Sequence, residues 1–178
     1  IAEATAGFEA FDYARALDRT ESFFWWFCDN YVELVKGRAY NSRGPEAANS
    51  ALRALREALG SVQRLFAPMI PFATEEAWSW WNTNSVHAAS WPVPSALTGD
   101  ATLIDPIIDT LAHVRRAKTE AKQSQKAAVE SLVVTAPAAL HAAVIAGDGD
   151  LRDAGSIATV SLVEGDGFSC AITLAPTD

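Results

Sequence analysis

The chain of 178 residues is poor in the residue types that build reactive centres, with two cysteines, three histidines and one methionine. Cys28 and Cys170 stand far apart and match no metal-ligand spacing. Such isolated thiols are expected as small core residues in a reducing, cytoplasmic setting. His87, His113 and His141 are equally scattered, so no metal site and no histidine base is assigned. There is no glycine-rich phosphate loop, no pair of histidines at helical metal spacing and no nucleophile elbow. No apolar run is long enough to span a bilayer, and no signal-peptide pattern opens the chain. These absences leave a self-contained enzyme without a supporting constellation, and they argue against a membrane protein.

What is present is an apolar fraction of 49%, enough for one good-sized core or two small ones. The net charge of −8 argues against a general affinity for nucleic acid or membrane. That average hides a strong asymmetry. Residues 115–126, "RRAKTEAKQSQK", carry five of the fourteen basic residues and one acid, whereas 130–178 carry one base and seven acids. The chain opens at Ile1 inside a helical pattern with no cap before it, as expected of a piece cut from a longer chain.

Up to about residue 125 the periodicity is helical. A first helix is expected over 1–18 and a second over 20–40, where Phe23, Phe24, Phe27, Tyr31, Leu34 and Val35 share one face at 100° per residue. "NSRGP" at 41–45 breaks that helix, and Pro45 suits the first turn of a third, which runs to about Ala67. In "APMIPFATEEAW" (67–78), Pro68 and Pro71 stop a straight helix. Thr74 is expected to cap a short new one, with Glu75 and Glu76 in its first turn. Placement there accounts for the two glutamates better than acid–base chemistry, because adjacent helical residues do not face each other.

A fifth helix is expected over 101–126. Ile104, Ile107, Ile108, Leu111 and Val114 form its apolar stripe, and Arg115, Lys118, Lys122 and Lys126 then take nearly the same azimuth. Burying several cations is costly, so the second half is expected to project as a basic ridge. From about 130 the pattern turns to short β-rich runs. "SLVVT" (131–135) reads as a strand, and "PAALHAAVIAG" (137–147) as a helix with Pro at its start and Gly at its end. "SIATVSLVE" and "GFSCAITLA" read as two strands joined by a hairpin turn at "EGDG". The expected fold is mainly α: an antiparallel helical bundle (1–97), a connecting helix with the basic ridge (98–127), and a small β-α-β-β subdomain (128–178).

Three groups of residues could meet RNA. Trp25 and Trp26 fall off the main stripe of their helix, so either could stack on an unpaired base; the competing reading is a second packing face. Lys36, Arg38 and Arg43 cluster towards that helix's C-terminal end, where they favour the helix dipole and could also reach phosphates or base edges. The ridge residues Arg115, Arg116, Lys118 and Lys122 are either ordinary solvated charge or a track for a polyanion.

Three stretches carry a family resemblance: "FFWWFCDNYVELVKGRAY" (23–40), "RLFAPMIPFATEEAW" (64–78) and "SVHAASWP" (85–92). In this order they resemble the anticodon-binding helical domain of the valyl-tRNA synthetases, in the valyl, isoleucyl and leucyl group of class I enzymes. "VRRAKTEAK" (114–122) and the α/β tail are similar to the region C-terminal to that domain in those enzymes. The resemblance implies a bundle that binds the anticodon arm of valine tRNA and packs on a catalytic domain. In that setting Trp25 or Trp26 stacks, Lys36, Arg38 and Arg43 meet the anticodon loop, and Arg115, Arg116, Lys118 and Lys122 follow the backbone. It also implies a parent ligase using ATP and Mg, with no catalytic motif, no cofactor and no DNA partner in this stretch. The rival reading is a structural bundle that packs on a partner or catalytic domain with little RNA affinity, or the corresponding domain of an isoleucyl or leucyl enzyme.

Overall fold

A computed structural model describes residues 1–94 and 99–176. The chain divides into two compact units, Ile1–Asp29 with Asn49–Thr98, and Asn30–Ala48 with Gly99–Asp178. It is mainly helical, with one small mixed sheet.

The first unit opens with two helices, α1 (Ala2–Glu9) and α2 (Tyr13–Trp26), where one was expected. The break has two local causes. Asp12 caps α2 by accepting a bond from the Arg15 amide (3.1 Å), and Phe11 turns the chain with a left-handed φ of 58°. The turn folds Gly7 onto Ala16, where a Cβ on Gly7 would lie 2.9 Å from the Ala16 nitrogen. Small residues, Ala4, Gly7 and Ala16, therefore form the buried seam between α1 and α2. Trp91 packs edge-on against Phe8 (5.2 Å) and donates to the Thr5 hydroxyl (2.9 Å).

After α4 (Pro45–Phe66) comes α5 (Pro71–Ser79). Pro71 itself takes the first position of α5, which corrects the assignment of Thr74 as its cap. Thr74 is buried one turn in and donates back to the carbonyls of Ile70 (3.0 Å) and Pro71 (3.1 Å). Glu75 and Glu76 accordingly lie in the helix middle. The Glu75 carboxylate accepts from the Ser85 hydroxyl and the Val86 amide, both at 2.9 Å, and so ties down the 3-10 turn Val86–Ala88. Trp78 packs with Ala67 and Val86 and donates to the Asn84 carbonyl (2.8 Å).

The helix expected over 20–40 is not uniform. Between α2 and α3 (Glu33–Ala39) the segment Phe27–Val32 is π-helical, which shifts the azimuth of the residues in α3. Leu34 and Val35 are buried as expected, but Phe23 is 43% exposed. Phe24 packs edge-on against Phe66 (5.6 Å).

The second unit is built on a three-stranded sheet in the order β2-β1-β3, from β1 (Val129–Ala136), β2 (Ile157–Glu164) and β3 (Ser169–Leu174). β1 pairs parallel with β2 and antiparallel with β3. The expected β2–β3 hairpin is therefore absent. β1 carries Val129, Leu132, Val134 and Ala136, all wholly buried, and a central place gives that apolar strand a partner on each side. The "EGDG" segment instead crosses the end of β1: the Gly165 amide donates to the Ala136 carbonyl (3.1 Å), and a Cβ there would meet Thr135 at 2.6 Å. Along β3, Cys170, Ile172 and Leu174 alternate towards the core.

The helix α6 (Ile104–Glu120) contributes Ile107, Leu111 and Val114 to the core, and α3 contributes Leu34. The β1–β2 crossover helix α7 runs over Ala138–Gly155, well past the expected stop at Gly147. Gly147 is a packing glycine instead: a Cβ there would sit 2.6 Å from Ile107 Cδ1.

Candidate nucleic-acid interface

In the first unit, Trp25 is 55% exposed and Trp26 half-buried. The Trp25 indole donates to Glu21 (3.2 Å) and meets Phe24 edge-on at 5.2 Å. Trp26 lies nearly parallel to Phe23, with centroids 6.1 Å apart. Trp25 thus keeps an accessible ring, whereas Trp26 belongs to an aromatic stack with Phe23 and Phe27.

In the second unit the candidate cations have unlike surroundings. Lys36 is exposed and pairs within its own helix with Glu33 (3.3 Å). Arg38 and Arg43 converge on Asp150 of α7: Arg38 Nη2 is 2.9 Å from one carboxylate oxygen, and Arg43 Nη2 bonds the other. Arg43 also lies 3.5 Å from Asp153, which accepts from the Ser42 hydroxyl (2.8 Å). Burial pushes the Asp150 carboxyl above the ordinary aspartate range, opposed by the two guanidiniums. Glycines let this cluster close, since a Cβ on Gly149 would run into the Arg43 guanidinium and one on Gly37 into the Asp153 carboxylate.

The expected ridge of 115–126 does not form as a continuous feature. α6 ends at Glu120, and the chain turns through Lys122 with a left-handed φ of 56°. The Gln123 amide returns to the Lys118 carbonyl (2.8 Å) and the Lys122 amide to Thr119 (2.9 Å), the double bond of a Schellman stop. Lys118 corrects the expectation most sharply, for it is 1% exposed. It continues the stripe of Ile107, Leu111 and Val114, and its ammonium donates to the carbonyls of Gly155 (2.7 Å) and Gln125 (3.0 Å). Desolvation pushes that ammonium below the ordinary lysine range. Arg116 is exposed and bonds Glu120 (2.8 Å), which raises its already high pKa. Arg115 is half-buried and Lys122 is exposed.

A further set of cations, too dispersed to make a charge run, lies on α4. Arg53, Arg56 and Arg64 fall within about 80° of azimuth on one helical face. Arg53 and Arg56 are exposed, and Arg64 is half-buried. The signal is present as helical spacing of basic residues, but the three are too dilute to form a run.

Among the described residues no helix is long and apolar enough to cross a membrane, and no cluster of three metal-binding side chains occurs. The chain thus carries exposed cations and one exposed tryptophan on a mainly helical frame with a small α/β part. Residues 1–133 match the family of anticodon-binding domains of tRNA ligases, and the chain belongs to that family. Its relatives include a valine–tRNA ligase of Salinispora arenicola, 46% identical over 186 residues, covering 93% of this chain and 22% of that protein. The valine–tRNA ligase of Leifsonia xyli subsp. xyli is 44% identical over 185 residues, covering 100% of this chain and 21% of the relative. That of Thermobifida fusca is 46% identical over 165 residues, covering 90% and 18%. The chain thus spans about a fifth of the length of the curated relatives it matches.

Proposed function

We propose that this chain is a tRNA-binding region of a cytoplasmic valine–tRNA ligase that engages the anticodon arm of valine tRNA. The observation that carries this reading is the family match over residues 1–133, joined to relatives that are valine–tRNA ligases. On this view the parent chain joins valine to its tRNA with ATP and Mg, and that chemistry belongs to other parts of the parent, on whose catalytic domain this region packs. The region supplies binding and discrimination, with no cofactor of its own.

The exposed Trp25 is the stacking candidate, since base–aromatic stacking is worth about 1–3 kcal/mol per base. Lys36, Arg115, Arg116 and Lys122 are the phosphate candidates in the second unit. Arg38, Arg43 and Lys118 serve better as internal ties, because freeing any of them would leave a buried partner unsatisfied.

A fluorescence titration at low salt tests the reading, with the 178-residue chain and three transcripts: valine tRNA, the same tRNA with a changed anticodon, and isoleucine tRNA. Salt-sensitive binding that prefers the first, and weakens in Trp25→Ala and Lys36→Ala, is expected. Undetectable binding, or indifference to the anticodon, would replace the reading by one in which the bundle only packs on its parent chain.

A further inference from the structure

We propose that one face of α4, formed by Arg53, Arg56 and Arg64 around Trp81, is a docking surface for the ribose–phosphate backbone of the bound RNA. The inference rests on the RNA-binding reading above and names a surface for it that lies wholly in the first unit.

The first observation is the ion-pair pattern. Six of the fourteen basic side chains (Arg19, Lys36, Arg38, Arg43, Arg116 and Arg152) sit in ion pairs. Among the described residues, Arg53, Arg56 and Arg64 make none, in a chain of net charge −8. Cations left outside ion pairs in an acidic protein stay available to an anion from outside.

The second observation is how the face is held. Gly60 is buried, with Trp81 Cη2 3.3 Å from the place a Cβ would take, so the indole lies directly against the helix between two arginines. The Arg56 guanidinium stands 5.3 Å from the Trp81 ring centroid, a cation–π arrangement that orients it without neutralising it. Arg64 is fixed from the other side: its Nε donates to the Gly60 carbonyl (2.8 Å) and one Nη to the Ser90 carbonyl (3.1 Å). Carbonyl acceptors order a guanidinium yet leave its charge and remaining donors free.

The third observation is shape and reach. One turn before Arg56, Asn49, Ser50 and Arg53 line a concavity of about 430 Å³, with Glu57 as its one acid. Arg53 and Arg64 are eleven residues apart, roughly 16 Å along the helix, the reach of several successive phosphates. An amide, a hydroxyl and three guanidiniums in a row match a strand of phosphates and riboses.

Arg53→Gln and Arg56→Gln test the assignment. Arg53 gives up no ion pair among the described residues, so the fold, checked by circular dichroism and urea midpoint, should stay intact. Each variant is expected to weaken binding of valine tRNA about three- to ten-fold and to lower the slope of log K against log salt by about 0.7–1. If the unsubstituted 178-residue chain binds the tRNA and both variants match it in affinity and slope, the α4 assignment fails while the RNA-binding reading stands. If the unsubstituted chain does not bind at low salt, both fall together. Displacement of the RNA by polyglutamate at equal charge concentration would make the face a general anion surface and overturn its assignment to RNA.

Discussion

A buried ammonium needs acceptors, and Lys118 finds them in the carbonyls of Gly155 and Gln125. One is the last residue of α7, where the helix dipole is negative, and the other lies in the segment after α6. The side chain thus ties the end of α7 to the segment after α6 from within the core. Lys118→Met, which keeps much of the volume but removes the donors, should destabilise the chain by about 1–3 kcal/mol in urea unfolding. The pH dependence has a definite sign. Because the folded-state pKa is depressed, the unfolded chain binds the proton more tightly between that pKa and the ordinary lysine value. Stability should therefore rise with pH across that window in the unsubstituted chain, and Lys118→Met should lack this contribution; an equal slope in both would exclude the buried charge as its source. Lys122 poses the opposite problem, an L-residue in the left-handed conformation at a helix stop. Lys122→Gly should gain about 1 kcal/mol in the same assay. If Lys122 also contacts RNA, tRNA affinity should fall as stability rises, a divergence that a purely structural residue would not produce.

At the scale of elements, α7 carries two glycines in its interior that helix propensity alone would replace with alanine. Each such change would favour an isolated helix by about 1 kcal/mol. In the folded chain the added methyl meets Ile107 at Gly147 and the Arg43 guanidinium at Gly149. Gly147→Ala should accordingly destabilise by about 1–3 kcal/mol, whereas Gly167→Ala, in open space, should stay within about 0.5 kcal/mol. A stabilised Gly147→Ala would show that α6 and α7 can part without loss. This glycine also shows what was legible in the sequence. Periodicity disclosed the apolar faces, Ile107–Leu111–Val114 and Cys170–Ile172–Leu174, because burial is written in side-chain chemistry. It misplaced the ends: Gly147 read as a stop, "EGDG" as a hairpin and Thr74 as a cap. Those residues answer to close approaches and carbonyl partners that are distant or one turn away, which no local pattern encodes. The candidate site was legible to the same degree. Charge density pointed to 115–126, but which cation faces solvent depended on where α6 stops, and the arginines of α4, though helically spaced, are too dilute to form a run.

For the molecule as a whole, the balance is between a net charge of −8 and the basic groups left free of internal partners. Long-range repulsion from the acidic background should slow encounter with a polyanion, so binding must come from local contacts that displace counterions. The number of such contacts is measurable, since each neutralised phosphate contributes about −0.7 to the salt slope for single-stranded RNA and about −0.9 for a duplex. If all seven cations that the sequence singles out (Lys36, Arg38, Arg43, Arg115, Arg116, Lys118 and Lys122) met phosphate, the slope would be about −5 or steeper. With Arg38 and Arg43 held by Asp150 and Lys118 sealed in the core, Lys36, Arg115, Arg116 and Lys122 remain of the seven. Lys36 and Arg116 are paired with Glu33 and Glu120, so about three to five contacts are expected once those of α4 are added. The expected slope for valine tRNA binding is then about −2 to −4, measured between roughly 30 and 200 mM salt. A slope near −5 or beyond would mean that the Asp150 cluster opens on binding. In that event Asp150→Asn, which releases both arginines, should tighten RNA binding even as it lowers stability. If the slope stays shallow, the same substitution should lower stability by about 1–3 kcal/mol and leave affinity unchanged, because the freed guanidiniums would have no phosphate to meet.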